Sequence, residues 1–164
     1  MQDEVDRLVA AWARERSDLD VRPLEVLSRV TRLARHLDRA RRTAFAAHEL
    51  EVWEFDVLAA LRRAGRPYVL SPGQLLAQTL VTSGTMTNRV DRLESRQLVQ
   101  RLPDPTDRRG VQVRLTPQGK DRVDAALADL LTRERELLAT LSARDRETLS
   151  GLLRRLVAPF ESGA

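Results

Sequence analysis

The segment Thr82-Ser83-Gly84-Thr85-Met86-Thr87-Asn88-Arg89-Val90-Asp91-Arg92-Leu93-Glu94 decides how the rest of the chain is read. Thr82 or Ser83 caps a helix by accepting the orphan N–H groups of its first turn. Met86, Val90 and Leu93 follow at i, i+4 and i+7, a single apolar stripe. The opposite face carries Gly84, Thr85, Asn88, Arg89 and Arg92. Its side chains are short or rich in donors: asparagine pairs bidentately with adenine, and arginine with guanine. A small residue at Gly84 lets the helix N-terminus approach a backbone phosphate closely.

Both flanks support a nucleic-acid reading. Upstream, Ser71-Pro72-Gly73-Gln74 has the form of a capping box with proline at the first helical position. It opens a short helix carrying Leu75, Leu76 and Leu80, and Val81-Thr82 turns into the next. Two helices joined by a tight turn, the second polar on its exposed N-terminal face, make a helix-turn-helix. Downstream, Leu98 to Leu102 reads as a strand. Pro103-Asp104-Pro105-Thr106-Asp107-Arg108-Arg109-Gly110 is rich in turn residues. Val111 to Leu115 alternates apolar and polar, a half-buried strand, and Tyr68-Val69-Leu70 offers a third. A helix-turn-helix followed by a hairpin with arginines at its tip is a winged helix. Four local signals agree within residues 71–116, which outweighs any one of them.

From these residues the DNA-binding set is Ser83 and Gly84 near phosphate and Thr85, Asn88 and Arg89 at base edges. Thr87 and Arg92 on the same helix complete it. In the hairpin, Arg108 is assigned to phosphate. Asp107 does not approach DNA favourably as a bare anion and is read as orienting a wing arginine through a charge-assisted bond.

At this point the chain resembles the MarR family of bacterial transcriptional regulators. The resemblance rests on Thr87 to Glu94, on the turn through Gln97, Leu98, Val99 and Arg101, and on Asp104-Pro105-Thr106-Asp107-Arg108-Arg109 leading into Val113-Arg114-Leu115-Thr116. It implies a mainly α fold with a small β-wing, a winged helix-turn-helix with an N- and C-terminal helical dimerisation layer. It implies that Arg109 enters a minor groove, whose narrow A·T tracts attract guanidinium groups. One departure is Gln97, where the family has glycine suited to a left-handed helix cap.

The resemblance extends to a ligand. Family members bind small aromatic or anionic molecules, and an additional N-terminal helix with a tryptophan is similar to the urate-responsive branch. Trp12, Asp56, Arg89 and Arg101 match that branch's ligand constellation. A planar anion would stack on Trp12 and pair with arginine, with Asp56 accepting from a ring N–H. Loading Arg89 would draw it from the operator and couple ligand binding to release. The plainer alternative makes Trp12 a core residue and pairs Asp56 with a neighbouring arginine.

Composition sets the outer bounds. A chain of 164 residues is one domain's worth, with a formal net charge of +4 and 32% charged residues. Aromatic residues are only 4%, so the core must be mostly Leu, Val and Ala. Of 28 basic residues only Lys120 is lysine. No cysteine is present, which excludes disulfides, thiolate metal sites and thiol-based oxidation sensing. His36 and His48 lack ligand spacing for a metal. No cofactor is expected. No apolar run approaches the roughly 20 residues that span a membrane, and a cytoplasmic location is expected.

The chain ends are helical. Val5, Leu8, Val9 and Trp12 form one stripe. After Pro23, Leu24, Leu27, Val30, Leu33, Ala34 and Leu37 form another, opposite Arg29, Arg32, Arg35, Arg39, Arg41 and Arg42. Those arginines read as a solvated face, with a share available to phosphate. Glu51 to Ala64 is a third helix, with Val57, Leu58 and Leu61 inward. Thr116-Pro117 opens a long helix to about Leu141, and Ser142 caps a last one bearing Leu149, Leu152, Leu153, Leu156, Val157 and Phe160. So much apolar surface at the two ends points to a symmetric homodimer. The expected division is 1–48 and 117–164 for dimerisation and 49–116 for DNA binding.

The expected function is a sequence-specific, homodimeric regulator of a pseudo-palindromic DNA operator, a repressor released by a small effector. Two rivals remain: a winged helix used for protein interaction, and a sequence-neutral DNA-organising protein. Paired carboxylates, a Ser/His/Asp grouping and a phosphate-cradling glycine loop are all missing, so no enzyme activity is expected.

Overall fold

Capping chemistry written into the sequence sets most element boundaries in the computed structural model, which describes residues 2–79, 82–105, 107 and 110–161. In chain order these residues form α1 (Glu4–Glu15), α2 (Pro23–Ala46), α3 (Val52–Arg63), β1 (Val69–Leu70), α4 (Pro72–Thr79), α5 (Ser83–Ser95), β2 (Val99–Pro103), β3 (Val111–Leu115), α6 (Pro117–Leu138) and α7 (Ala143–Glu161). The chain divides into two compact units, Met1–Trp53 and Glu54–Ala164.

In the first unit, the Asp3 carboxylate accepts from the N–H groups of Val5 and Asp6, and the Asp6 side chain returns a bond to the Asp3 N–H. This reciprocal box satisfies three backbone donors and opens α1. The acidic first turn then grips α2. Arg29 donates to Asp3 at 2.8 Å and to Asp6 at 2.6 Å, and Arg32 to Glu4 at 2.6 Å. The arginine run of α2 is therefore not one solvated or phosphate-facing row. Arg29 and Arg32 bind α1, Arg42 pairs with Asp38, and Arg41 lies over the Phe45 ring. Position along the helix separates these roles, since only the first turns of α2 meet the acidic end of α1. Val5, Ala44, Phe45 and Leu50 are buried, whereas Leu27, Val30 and Leu33 of the expected stripe stay exposed. Trp12 is 50% exposed, which removes the reading of it as a core residue.

The second unit is built on α3, whose Val57, Leu58, Ala60 and Leu61 are fully buried. Ser71 and Gln74 exchange bonds of 3.2 and 2.8 Å, the expected capping box at α4. The three strands form an antiparallel sheet in the order β1-β3-β2, with Val69 opposite Arg114 and Gln100 opposite Arg114 on the other edge. Val113 and Leu115 face the core, and Val111 is exposed.

Strand β2 runs Val99–Pro103, one residue later at each end than the Leu98–Leu102 expected from sequence. The cause is the end of α5. Gln97 takes a left-handed φ of 59°, its N–H bonds the Glu94 carbonyl at 2.8 Å, and the Leu98 N–H bonds the Leu93 carbonyl at 2.9 Å. Those two bonds define a Schellman cap, completed by the buried pair Leu93 and Leu98. Leu98 is thus spent closing a helix, and glutamine occupies a backbone conformation that favours glycine.

The Leu98 carbonyl in turn receives the Thr116 N–H at 3.2 Å, and Thr116 caps α6 by accepting from Gly119. A Cβ at position 119 would sit 2.1 Å from the Leu98 oxygen, so only glycine permits this approach. Along α6, Val123, Ala126 and Leu130 are buried, but Leu127, Leu131, Leu137 and Leu138 are not. Ser142 caps α7 through the Asp145 N–H, as expected, and α7 has no buried residue. No helix among the described residues is long and apolar enough to cross a membrane.

Candidate nucleic-acid interface

Helix α5 begins where Thr82, in an extended conformation, accepts the Thr85 N–H on its Oγ1 at 3.4 Å. Of the two caps considered from sequence, Thr82 is the one used. The helix then turns one face inward: Met86, Val90 and Leu93 are at most 2% exposed. Ser83, Gly84, Thr85, Thr87, Asn88 and Arg92 are exposed, and Arg89 is half-buried. Six of the residues read as DNA contacts therefore share one accessible helix surface, with Arg89 at its edge. Nothing lies within 4 Å of a Cβ built on Gly84, so its surroundings are open. Thr85 Oγ1 sits 2.9 Å from Thr82 Oγ1, and Thr87 Oγ1 donates to the Ser83 carbonyl at 3.2 Å. These bonds order the first turn, whose positive dipole end suits an anion.

The hairpin β2–β3 closes with the Asp104 N–H on the Gly110 carbonyl at 3.0 Å and the Gly110 N–H on the Asp107 carbonyl at 2.9 Å. Arg108 and Arg109, the wing arginines, lie outside the described residues, as do Thr106, Leu80 and Val81. Asp107 is described and exposed.

Three ion-pair groups brace the region, none of them legible in the sequence. Arg101 on β2 donates to Glu94 at 2.6 Å and to Asp91 at 2.5 Å, both on α5. The Arg101 backbone N–H also bonds Glu94 at 2.8 Å. That N–H, and after it the guanidinium, hold the Glu94 carboxyl below its ordinary range against a smaller opposing effect of burial. Arg96, the C-cap of α5, meets the buried Glu54 of α3 at 2.5 Å. Arg62 bonds Asp124 at 2.8 Å and stacks over Tyr68, and Lys120 reaches Asp124 at 2.9 Å. Burial pushes the Asp124 carboxyl up, but Arg62 and Lys120 together hold it below its ordinary value.

The four residues matching the urate-type constellation fall in both units. Trp12 belongs to the first, and Asp56, Arg89 and Arg101 to the second. Arg101 is engaged by Asp91 and Glu94. The Trp53 indole N–H donates to Glu51 at 2.6 Å. Among the described residues there is no group of three or more His, Asp or Glu able to hold a metal.

A MarR family profile matches residues 48–110. The chain is 37% identical over 153 residues to the HTH-type transcriptional regulator PecS of Dickeya dadantii, covering 93% of this chain and 92% of that one. It is 32% identical to the HTH-type transcriptional repressor NicR of Pseudomonas putida, over 88% of this chain and 92% of the relative. Among solved structures, a mutant MarR from E. coli complexed with operator DNA superposes with a TM-score of 0.67 at 30% identity, over 80% of this chain and 93% of that chain.

Proposed function

We propose, from the premise that this chain belongs to the MarR family of DNA-binding transcriptional regulators, that it is a homodimeric repressor of a pseudo-palindromic operator. The observation that carries this is the two-sidedness of α5: a fully buried stripe behind an exposed row of Ser83, Gly84, Thr85, Thr87, Asn88 and Arg92. Thr85, Asn88 and Arg89 read base edges, Ser83 and Gly84 seat a phosphate, and Thr87 and Arg92 flank them. Arg108 and Arg109 extend the grip from the wing, with Asp107 orienting them. Residues 49–116 make the DNA contact, and 1–48 with 117–164 join the subunits. The exposed Leu152, Leu153, Leu156, Val157 and Phe160 of α7 support that pairing. Two subunits then present their recognition helices about one helical turn apart on one face of the duplex.

The repressor reading is supported by the name of the relative NicR. Release by a small anionic or aromatic ligand completes the proposal. Such an anion would draw on Arg89 and Arg101, both in the second unit, as the urate-type resemblance implies for them. Taking Arg101 from Asp91 and Glu94 would slacken the tie between β2 and the recognition helix.

The test is selection of duplexes from random-sequence DNA followed by mobility-shift titration. A palindromic consensus is expected, and Arg89→Ala and Arg109→Ala should each weaken its binding by roughly 1–3 kcal/mol. Equal affinity for every duplex would leave a sequence-neutral DNA binder. Full affinity in both variants would remove these arginines from the interface.

A further inference from the structure

The only buried charged side chain among the described residues is Glu54, 1% exposed, and its carboxylate meets the guanidinium of Arg96 at 2.5 Å. The two residues are 42 positions apart, one on α3 and the other capping α5. A buried carboxylate is held at such a site by its partner's charge, because leaving it alone in a low-dielectric setting is costly. The pair is therefore a fixed point for the end of α5.

We propose that Glu54 is a positioning residue for DNA recognition, acting through Arg96 to set the orientation of α5. The proposal rests on the DNA-reading role of α5 given above. At about 100° per residue, Met86, Val90 and Leu93 mark one side of α5, Asp91 and Glu94 fall on one flank and Arg96 on the other. The apolar stripe alone resists withdrawal of the helix but tolerates rocking. Arg101 ties the first flank to β2, and Glu54 ties the second to α3. Two polar anchors on opposite flanks resist the roll that one would permit. Asn88 lies about 12 Å along the axis from Arg96, so a tilt of about 5° at the anchor moves it by about 1 Å. A hydrogen bond to a base edge fails over that distance, while a phosphate contact from a long side chain adjusts. Loss of the anchor should therefore cost discrimination between sequences more than it costs general DNA affinity.

The test uses the full chain, a duplex that the wild-type protein selects from random DNA, and a scrambled duplex of equal length. Glu54→Gln keeps the shape of the side chain and removes its charge, and Arg96→Lys keeps the charge and removes the planar fork. Each variant is titrated well below its melting temperature, so that only folded molecules are compared. The expected result is a tenfold or greater fall in the ratio of selected to scrambled affinity, with scrambled affinity changed less than threefold. Should Glu54→Gln fail to fold, Arg96→Lys decides. A lower melting temperature with an unchanged ratio assigns the pair to stability alone and overturns the proposal. An equal fall in both affinities assigns Arg96 to a phosphate contact and overturns it too. A wild-type protein that selects no duplex overturns the proposed function, and this inference with it.

Discussion

In α5 the apolar positions Met86, Val90 and Leu93 are at most 2% exposed, whereas in α7 Leu152, Leu153, Leu156, Val157 and Phe160 are between 37% and 84% exposed. Both helices are amphipathic, so periodicity alone does not distinguish them. The difference lies in what each leaves outside. Helix α5 finishes its apolar packing within its own unit and exposes polar groups and arginine, a surface suited to a polyanion. Helix α7 exposes its apolar side, and a contiguous apolar patch of this kind marks an interaction site. On the function proposed above, α5 is the completed helix that reads DNA, and α7 is the incomplete one that takes a second copy.

The largest effect is expected from breaking the α7 half of this contrast. Leu153→Glu with Leu156→Glu should convert the protein to monomers in sedimentation and abolish operator binding, while leaving far-UV circular dichroism nearly intact. A stable dimer in this variant would mean that α7 is not the pairing surface. On the α5 half, Leu93→Ala removes a fully buried side chain and should lower unfolding free energy by roughly 2–5 kcal/mol in urea titration. An equivalent truncation at Leu152 should cost the isolated subunit far less.

Salt sharpens the comparison further. Operator affinity should fall along a log–log slope set by the number of phosphates neutralised, about −0.9 per contact. Dimerisation through an apolar face should not weaken with added salt. A flat salt profile for DNA binding would contradict an arginine-bearing face on α5.

The C-terminal end of α5 shows how much was legible beforehand. The capping box at Ser71, the stripe through Leu93, the strand Val111–Leu115 and the cap at Ser142 are all local patterns, and all are found. The departure from glycine at Gln97 was also visible, but its outcome was not. The chain keeps the left-handed cap and places glutamine in it, with φ 59°. Gln97→Gly should therefore raise stability by about 0.5–1 kcal/mol, the relief of backbone crowding less the added chain entropy. No gain would mean that the glutamine side chain compensates for its backbone.

What sequence did not reveal is pairing at a distance. Glu54 with Arg96 and Arg62 with Asp124 join residues 42 and 62 positions apart, and no periodicity encodes such partners. The roles of Arg29 and Arg32 were hidden for the same reason, since a row of arginines looks alike whether it faces water or an acidic helix end. The need for glycine at 119 arises from an approach between α6 and Leu98 that only the folded chain displays.

The smallest effect concerns acid. Glu94 has a carboxyl held below its ordinary value of 4.5, so its tie to Arg101 contributes stability above that value and loses it as pH falls through the depressed one. Hydrogen exchange at the Arg101 amide, which donates to Glu94, should accelerate relative to its intrinsic rate below about pH 4.5. Amides within α7 serve as the internal control.

The most direct test of the central claim is a crystal structure of the protein on the duplex it selects. The expected result places Thr85 and Asn88 within hydrogen-bond distance of base edges in the major groove, with α7 buried against its mate. A complex in which that face of α5 looks into solvent would contradict the account, whatever the affinity.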